Sequence, residues 1–230
     1  MHIGLIGGIG VAATVVYYQR LAAAVAAQAG SLALTIVHGD IQQLIRNNLA
    51  DRREEQARAL LPLVERLKAA GCDCAALTSI GGHFCVDELV RLSPLPIVSG
   101  VAPLDAYFVG QGIRRIGLLG TRVVMRTRLY GKLARTEALA LDDEIDPIGQ
   151  TYQDVAVAGT CSPAQRALFF DAGQRLVAAG AEAVVLAGTD LNLAFDGQSP
   201  GYKVIDALDV HVAVLADLAL NRTSLADVAA

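Results

Sequence analysis

Residues 66–77, RLKAAGCDCAAL, align without a gap with residues 175–186, RLVAAGAEAVVL, pairing Arg66 with Arg175, Leu67 with Leu176, Gly71 with Gly180 and Leu77 with Leu186. The same comparison sets IGLIGG (3–8) beside IGLLGT (116–121), and Tyr17 beside Tyr130. Each copy contains strand, helix, helix and strand in one order, so a repeat of this length is a duplicated α/β lobe. The 230 residues suffice for two lobes of roughly 100 residues each. The expected fold is α/β, with two pseudo-symmetric lobes, each a parallel sheet flanked by helices, and a ligand cleft between them. Residues 1–100 with 207–230 are assigned to the first lobe and 101–206 to the second.

Short β-branched runs alternate with longer helical patterns, as parallel strands linked by crossover helices do. Strands are expected at HIGLIG (2–7), LALTIVHGD (32–40), CDCAALTS (72–79), LPIVSG (95–100), RRIGLLGT (114–121) and AEAVVLAG (181–188). Helices are expected near 52–70, 124–136, 163–179 and 207–220, with a frayed tail at 221–230.

No apolar run approaches the roughly 18 residues needed to span a bilayer. The start of the chain, MHIGLIGG, lacks the basic region of a signal peptide, which points to a cytoplasmic protein. Cys72, Cys74, Cys85 and Cys161 form neither a C-x-x-C pair nor a zinc spacing and read as reduced thiols. A formal charge of −4 without a basic cluster argues against a nucleic-acid partner. An alanine- and leucine-rich helix surface points to a homodimer, the commonest symmetric pairing.

Ligands of open parallel sheets sit at the carboxyl ends of the strands. Here those ends are Gly7-Gly8, Ser79-Ile80-Gly81, Gly120-Thr121 and Gly188-Thr189-Asp190. Gly7, Gly8 and Gly10 let the first loop approach a ligand and aim a helix N-terminus at it, which suits a small anion. Residues Gly8 to Ala13 also fit the permissive G-x-G-x-x-G/A dinucleotide pattern. The acidic ribose partner expected about 20 residues later is missing, however, and Asp40 stands too far on. Thr121 and Arg122 could hold a second anionic oxygen, although a helix N-cap accounts for Thr121 equally well. His83 reads as a general acid or base, or as a hydrogen-bonded cap, and Cys85 as core packing.

The whole chain resembles the aspartate/glutamate racemase superfamily, through MHIGLIGGIG, the Tyr17-Tyr18 pair, IGLLGTRVVM (116–125), GAEAVVLAGTDL (180–191) and VIDALDVHV (204–212). The resemblance implies two α/β lobes whose facing thiols, one per lobe, move the Cα proton of an acidic amino acid without a cofactor. It places the first thiol at Ser79, and its following asparagine and threonine at Ile80 and Gly81. The histidine that ends that motif falls on His83, the second thiol on Gly188, and a threonine pair on Ala207 and Leu208, while Asp206 and His211 are retained.

These departures change the chemistry. A thiol of pKa about 8.5 needs modest tuning to act as a base, whereas a serine hydroxyl needs a partner and a glycine offers nothing. A two-thiol reaction on aspartate or glutamate is therefore not expected, and Ile80, Ala207 and Leu208 suggest a larger or less polar ligand. The reading is a cofactor-independent, metal-free isomerase acting on a small carboxylate or amino-acid-like compound. Ser79, Thr189 and Asp190 are its catalytic candidates. Gly7, Gly8, Ile80, Gly81, Gly82, His83, Gly120, Thr121, Gly188 and His211 are its substrate-binding candidates. The alternative, motivated by Gly188, is an inactive protein that binds a small carboxylate.

Overall fold

Two four-stranded parallel sheets organise the chain in the computed structural model, which describes residues 1–8 and 10–229. Ile9 of the glycine loop and Ala230 of the tail lie outside the described residues. In chain order the first half contains β1 (His2–Gly7), α1 (Val11–Ala26), β2 (Ala33–His38), α2 (Ile41–Leu49), α3 (Arg53–Ala69), β3 (Cys74–Leu77), α4 (Val86–Leu92), β4 (Ile97–Val98) and α5 (Leu104–Gly110). There follow β5 (Arg115–Gly120), α6 (Arg122–Arg126), β6 (Glu137–Leu139), α7 (Ile145–Ala158), α8 (Pro163–Ala178), β7 (Ala183–Ala187), α9 (Asn192–Phe195), β8 (Val204–Asp206), α10 (Ala207–Ala219) and α11 (Leu225–Val228).

The strand orders are β2-β1-β3-β4 and β6-β5-β7-β8, so the two halves share one topology, as the internal repeat requires. In register, Ile3 lies beside Cys74 in one sheet and Ile116 beside Ala183 in the other. Strands β3 and β7 are buried at every position, which is why CAAL and AVVLA read as unbroken apolar runs. Helix α10 follows β8 of the second sheet yet packs on the first, with Leu208, Val212 and Leu215 in one core with Ile3, Leu5 and Tyr17.

Three expectations are corrected. The helix expected over 124–136 ends at Arg126. Arg128, Leu129 and Tyr130 then take φ of 51°, 58° and 61°, a left-handed run that costs about 1–2 kcal/mol per residue. The turn carries the Tyr130 hydroxyl to the carbonyls of Ile80 (2.9 Å) and Gly81 (3.2 Å), where it clamps the loop after β3. The tail is ordered rather than frayed over its described part. Ser224 and Asp227 form a capping box, Leu225 and Val228 rest on the first core, and Ala229 bridges to Val98. Finally, α2, α5, α7, β6 and β8 were absent from the sequence reading. Of these α2 had a readable start, because Asp40 is its N-cap, accepting from the N–H groups of Gln42 and Gln43.

Candidate active site

The carboxyl ends of β3, β5 and β7 converge on a cavity of about 60 Å³. One water needs roughly 15 Å³, so the space suits a compact ligand. Ser79 and Gly81 enter from the first sheet, and Thr121 and Asp190 from the second. Helix α7 adds Gly149, Tyr152, Gln153 and Ala156, and α2 closes one side with Ile41, Leu44, Ile45, Asn48 and Leu49.

Each polar group is held by its own local geometry. Ser79 caps the 3-10 turn Ile80–Cys85, its Oγ accepting from the Gly82 N–H at 3.2 Å. Its own proton has no acceptor among the described residues and is free to donate into the cavity. Its neighbour Thr78 is structural, bonding the Ile6 carbonyl (3.2 Å) and the Thr14 hydroxyl (3.0 Å). Thr121 both lines the cavity and caps α6, accepting from the Val124 N–H at 3.3 Å. Arg122 is the cation of the lining. Its guanidinium is spent on Gln150, Gln153 and Asp146, which leaves little to grip a ligand's second carboxylate.

Asp190 is the carboxylate of the lining, 1% exposed. Rather than capping its own turn, it reaches across to the other lobe. Its Oδ1 accepts from the Ala13 N–H of α1 at 3.2 Å, and its Oδ2 from the Tyr152 hydroxyl at 3.2 Å. It thereby supplies the cap that α1 lacks locally. Gly10 permits this, with φ of 118° and no Cβ, since a Cβ there would meet Asp190 Oδ2 at 2.5 Å. Burial pushes the Asp190 carboxyl up to about 6, against the opposing pull of the Ala13 N–H and the Tyr152 hydroxyl. Burial also drives the Tyr152 phenol well above its usual range, with the Asp190 charge adding to it, so the phenol keeps its proton.

Of the candidates read from sequence, Ser79, Gly81, Thr121 and Asp190 meet at this cavity. Gly7, Gly8, Gly120, Gly188 and Thr189 stand at the strand ends without joining its lining, and Ile80 and Gly82 are buried in the turn beneath Ser79. His83 is engaged at both nitrogens: Nε2 accepts from the Gly100 N–H (2.8 Å), so Nδ1 carries the proton and donates to the Ser79 carbonyl (2.8 Å). His211 is fully buried behind it, with Nδ1 on the Tyr17 hydroxyl (2.9 Å). Burial lowers the two imidazoles to about 4 and about 3. Cys85 is core, its thiol pushed up to about 12 by burial.

The sequence reading missed Tyr152 and the α2 wall. The pattern Ile41, Leu44, Ile45 after Asp40 was a usable helix signal, whereas nothing local marks Tyr152. Among the described residues no cluster of three or more His, Cys, Asp or Glu could hold a metal, and no helix is long and apolar enough to cross a membrane.

The duplicated lobes and the loops at their strand ends agree with known proteins. The sequence profile of the Asp/Glu/hydantoin racemases matches residues 6–215. The structure is similar to that of a candidate Asp/Glu racemase from Yersinia pestis, with 25% identity, a TM-score of 0.80, and coverage of 96% of this chain and 100% of that one. An aspartate racemase homologue from Pyrococcus horikoshii is 22% identical, with a TM-score of 0.74 over 95% and 99% of the two chains. The aspartate racemase of Picrophilus torridus is 18% identical, with a TM-score of 0.78 over 95% and 94%. With the profile spanning both lobes and every strand end that lines the cavity, this chain belongs to the Asp/Glu/hydantoin racemase family.

Proposed function

We propose that this chain catalyses cofactor-independent Cα proton transfer on a small amino-acid-like carboxylate with an apolar side chain. The observation that carries the reading is Asp190: a buried carboxylate raised to about 6, aimed into a cavity shared by both lobes. A general base works best with a pKa near the operating pH, and this group is closer to neutrality than an ordinary aspartate. The Ser79 hydroxyl, the Thr121 hydroxyl and the Asn48 amide surround the space in which a carboxylate or enolate would be held. The aliphatic side of α2 and the committed Arg122 favour an apolar side chain over a second carboxylate.

A second reading, an inactive protein that binds a carboxylate, is favoured by Gly188, where the family resemblance leads one to expect a thiol. Incubation with D- and L-leucine, phenylalanine and aspartate in D₂O separates the two. Deuterium entering Cα of the apolar compounds faster than that of aspartate supports catalysis. Thermal stabilisation by an unchanged compound with no exchange across the panel supports binding alone, and it removes the catalytic reading.

The assignment of residues 1–100 with 207–230 and 101–206 to separate lobes is part of the same proposal, supported by the packing of α10 on Ile3 and Tyr17. So is a homodimer, supported by Val11, Val15 and Tyr18 exposed along one face of α1 and tested by light scattering.

A further inference from the structure

We infer that Tyr152, backed by Asp190, is the proton-transfer group that the second lobe presents to the ligand, standing where a side chain at position 188 would otherwise project. The inference rests on the Cα proton-transfer reading above and names the group that performs it.

Position 188 has no room for a side chain. A Cβ built on Gly188 would fall inside the surface of the Tyr152 ring, 2.8 Å from Cζ, and 3.0 Å from Gly120 Cα. Gly188 and Tyr152 are thus a matched pair, in which the absence of a side chain at 188 leaves space for an aromatic ring delivered by α7. That ring is 5% exposed, lines the cavity, and donates its hydroxyl proton to Asp190 Oδ2 at 3.2 Å. Because Oδ1 is fixed by the Ala13 N–H, the carboxylate is oriented to receive it.

The other candidates fall short. Among the described residues no carboxylate or imidazole is bonded to Ser79 Oγ to take its proton. The His83 imidazole is committed to Gly100 and Ser79 backbone, and His211 bonds Tyr17. None of the four cysteines joins the lining.

The transfer is a two-proton relay. The Cα–H bond breaks and its electron pair enters the enolate of the ligand carboxylate. The phenol oxygen of Tyr152 takes that proton while its own passes to Asp190 Oδ2. The sum is one proton moved from Cα to Asp190, with Tyr152 unchanged, and reversal returns a proton to the same face. Ser79 on the opposite wall donates a hydrogen bond and does not accept the Cα proton. Exchange therefore outruns inversion, and one enantiomer is favoured.

The test uses the intact protein with D- and L-leucine, separately, in D₂O, followed by proton NMR and chiral chromatography. Wild type should exchange one enantiomer faster than it inverts it. Tyr152→Phe keeps the ring over Gly188 and should lower exchange by about 100-fold or more, the scale of a lost general acid–base group. Melting curves provide the second arm. Gly188→Ala should lower the melting temperature in wild type and do so much less in Tyr152→Ala, where the ring is gone.

Unchanged exchange by Tyr152→Phe with an active wild type overturns the inference while leaving the functional reading intact. So does equal exchange and inversion of both enantiomers, or a Gly188→Ala penalty indifferent to the Tyr152 ring. No exchange by wild type overturns both.

Discussion

Replacing Asp190 with asparagine should make the protein more stable at neutral pH while removing its chemistry. The native carboxyl titrates at about 6 against an ordinary 3.8, so the folded state holds this proton more tightly than the unfolded chain. The stability it contributes is fully present below pH 3.8 and is lost as pH rises through about 6. That interval corresponds to about 3 kcal/mol by pH 7.5. Asparagine never pays it: its carbonyl can still accept from the Ala13 N–H, and its amide can donate to the Tyr152 oxygen. The gain is set below the full interval, at about 1–3 kcal/mol, because an anion at the N-terminus of α1 is itself favourable by up to about 1 kcal/mol. For a chain of this size each kcal/mol moves the melting temperature by about 2–4 °C.

The assay is urea unfolding of wild type and Asp190→Asn at several pH values from 4 to 8. Asp206 is also raised to about 6 by burial, and His83 and His211 are lowered, so the wild-type profile is a composite. Those groups are common to both proteins and drop out of the difference. The two curves should lie together near pH 4, draw apart between pH 4 and 6 with the variant on top, and run parallel above that. A variant less stable than wild type by a constant amount from pH 4 to 8 would mean that the α1 N-terminus outweighs burial and that Asp190 is a structural cap. Greater stability joined to loss of Cα exchange is the pattern of a residue kept for function at a cost in stability.

Arg20 of α1 bonds Asp196, Asp206 and Asp209, each at 2.7 Å, and of the three only the Asp206 side chain is largely withdrawn from solvent, 9% exposed. Arg20→Ala should cost about 2–3 kcal/mol above pH 6, less than a fully buried pair because Arg20 is partly exposed. The loss should shrink below that pH as Asp206 takes a proton, measured by denaturant unfolding. Gly10→Ala meets both an unfavourable φ and the Asp190 carboxylate, and should lower stability by more than about 2 kcal/mol, with partial recovery when combined with Asp190→Ala. The ring protons of His83 and His211 should show no titration by NMR from about pH 5.5 to 8, since both are neutral throughout that range, whereas an ordinary histidine titrates near 6.5.

The repeat at 66–77 and 175–186 was enough to determine the architecture, because strand and helix periodicities are local and a duplicated unit must repeat its topology. It also located the cavity, since strand ends are defined by the strands themselves, and Ser79, Gly81, Thr121 and Asp190 follow from that. What the ends do was not legible. Asp190 read as a catalytic candidate at a strand end, yet its partners Ala13 and Tyr152 lie 177 and 38 residues away in sequence. His83 read as a candidate acid or base until its nitrogens were seen bonded to Ser79 and Gly100. Gly188 read as an absence, and only packing revealed the Tyr152 ring in the space it leaves. Backbone conformation answers mainly to neighbours along the chain, whereas proton affinity and the filling of space answer to neighbours in three dimensions, which a sequence alone does not order.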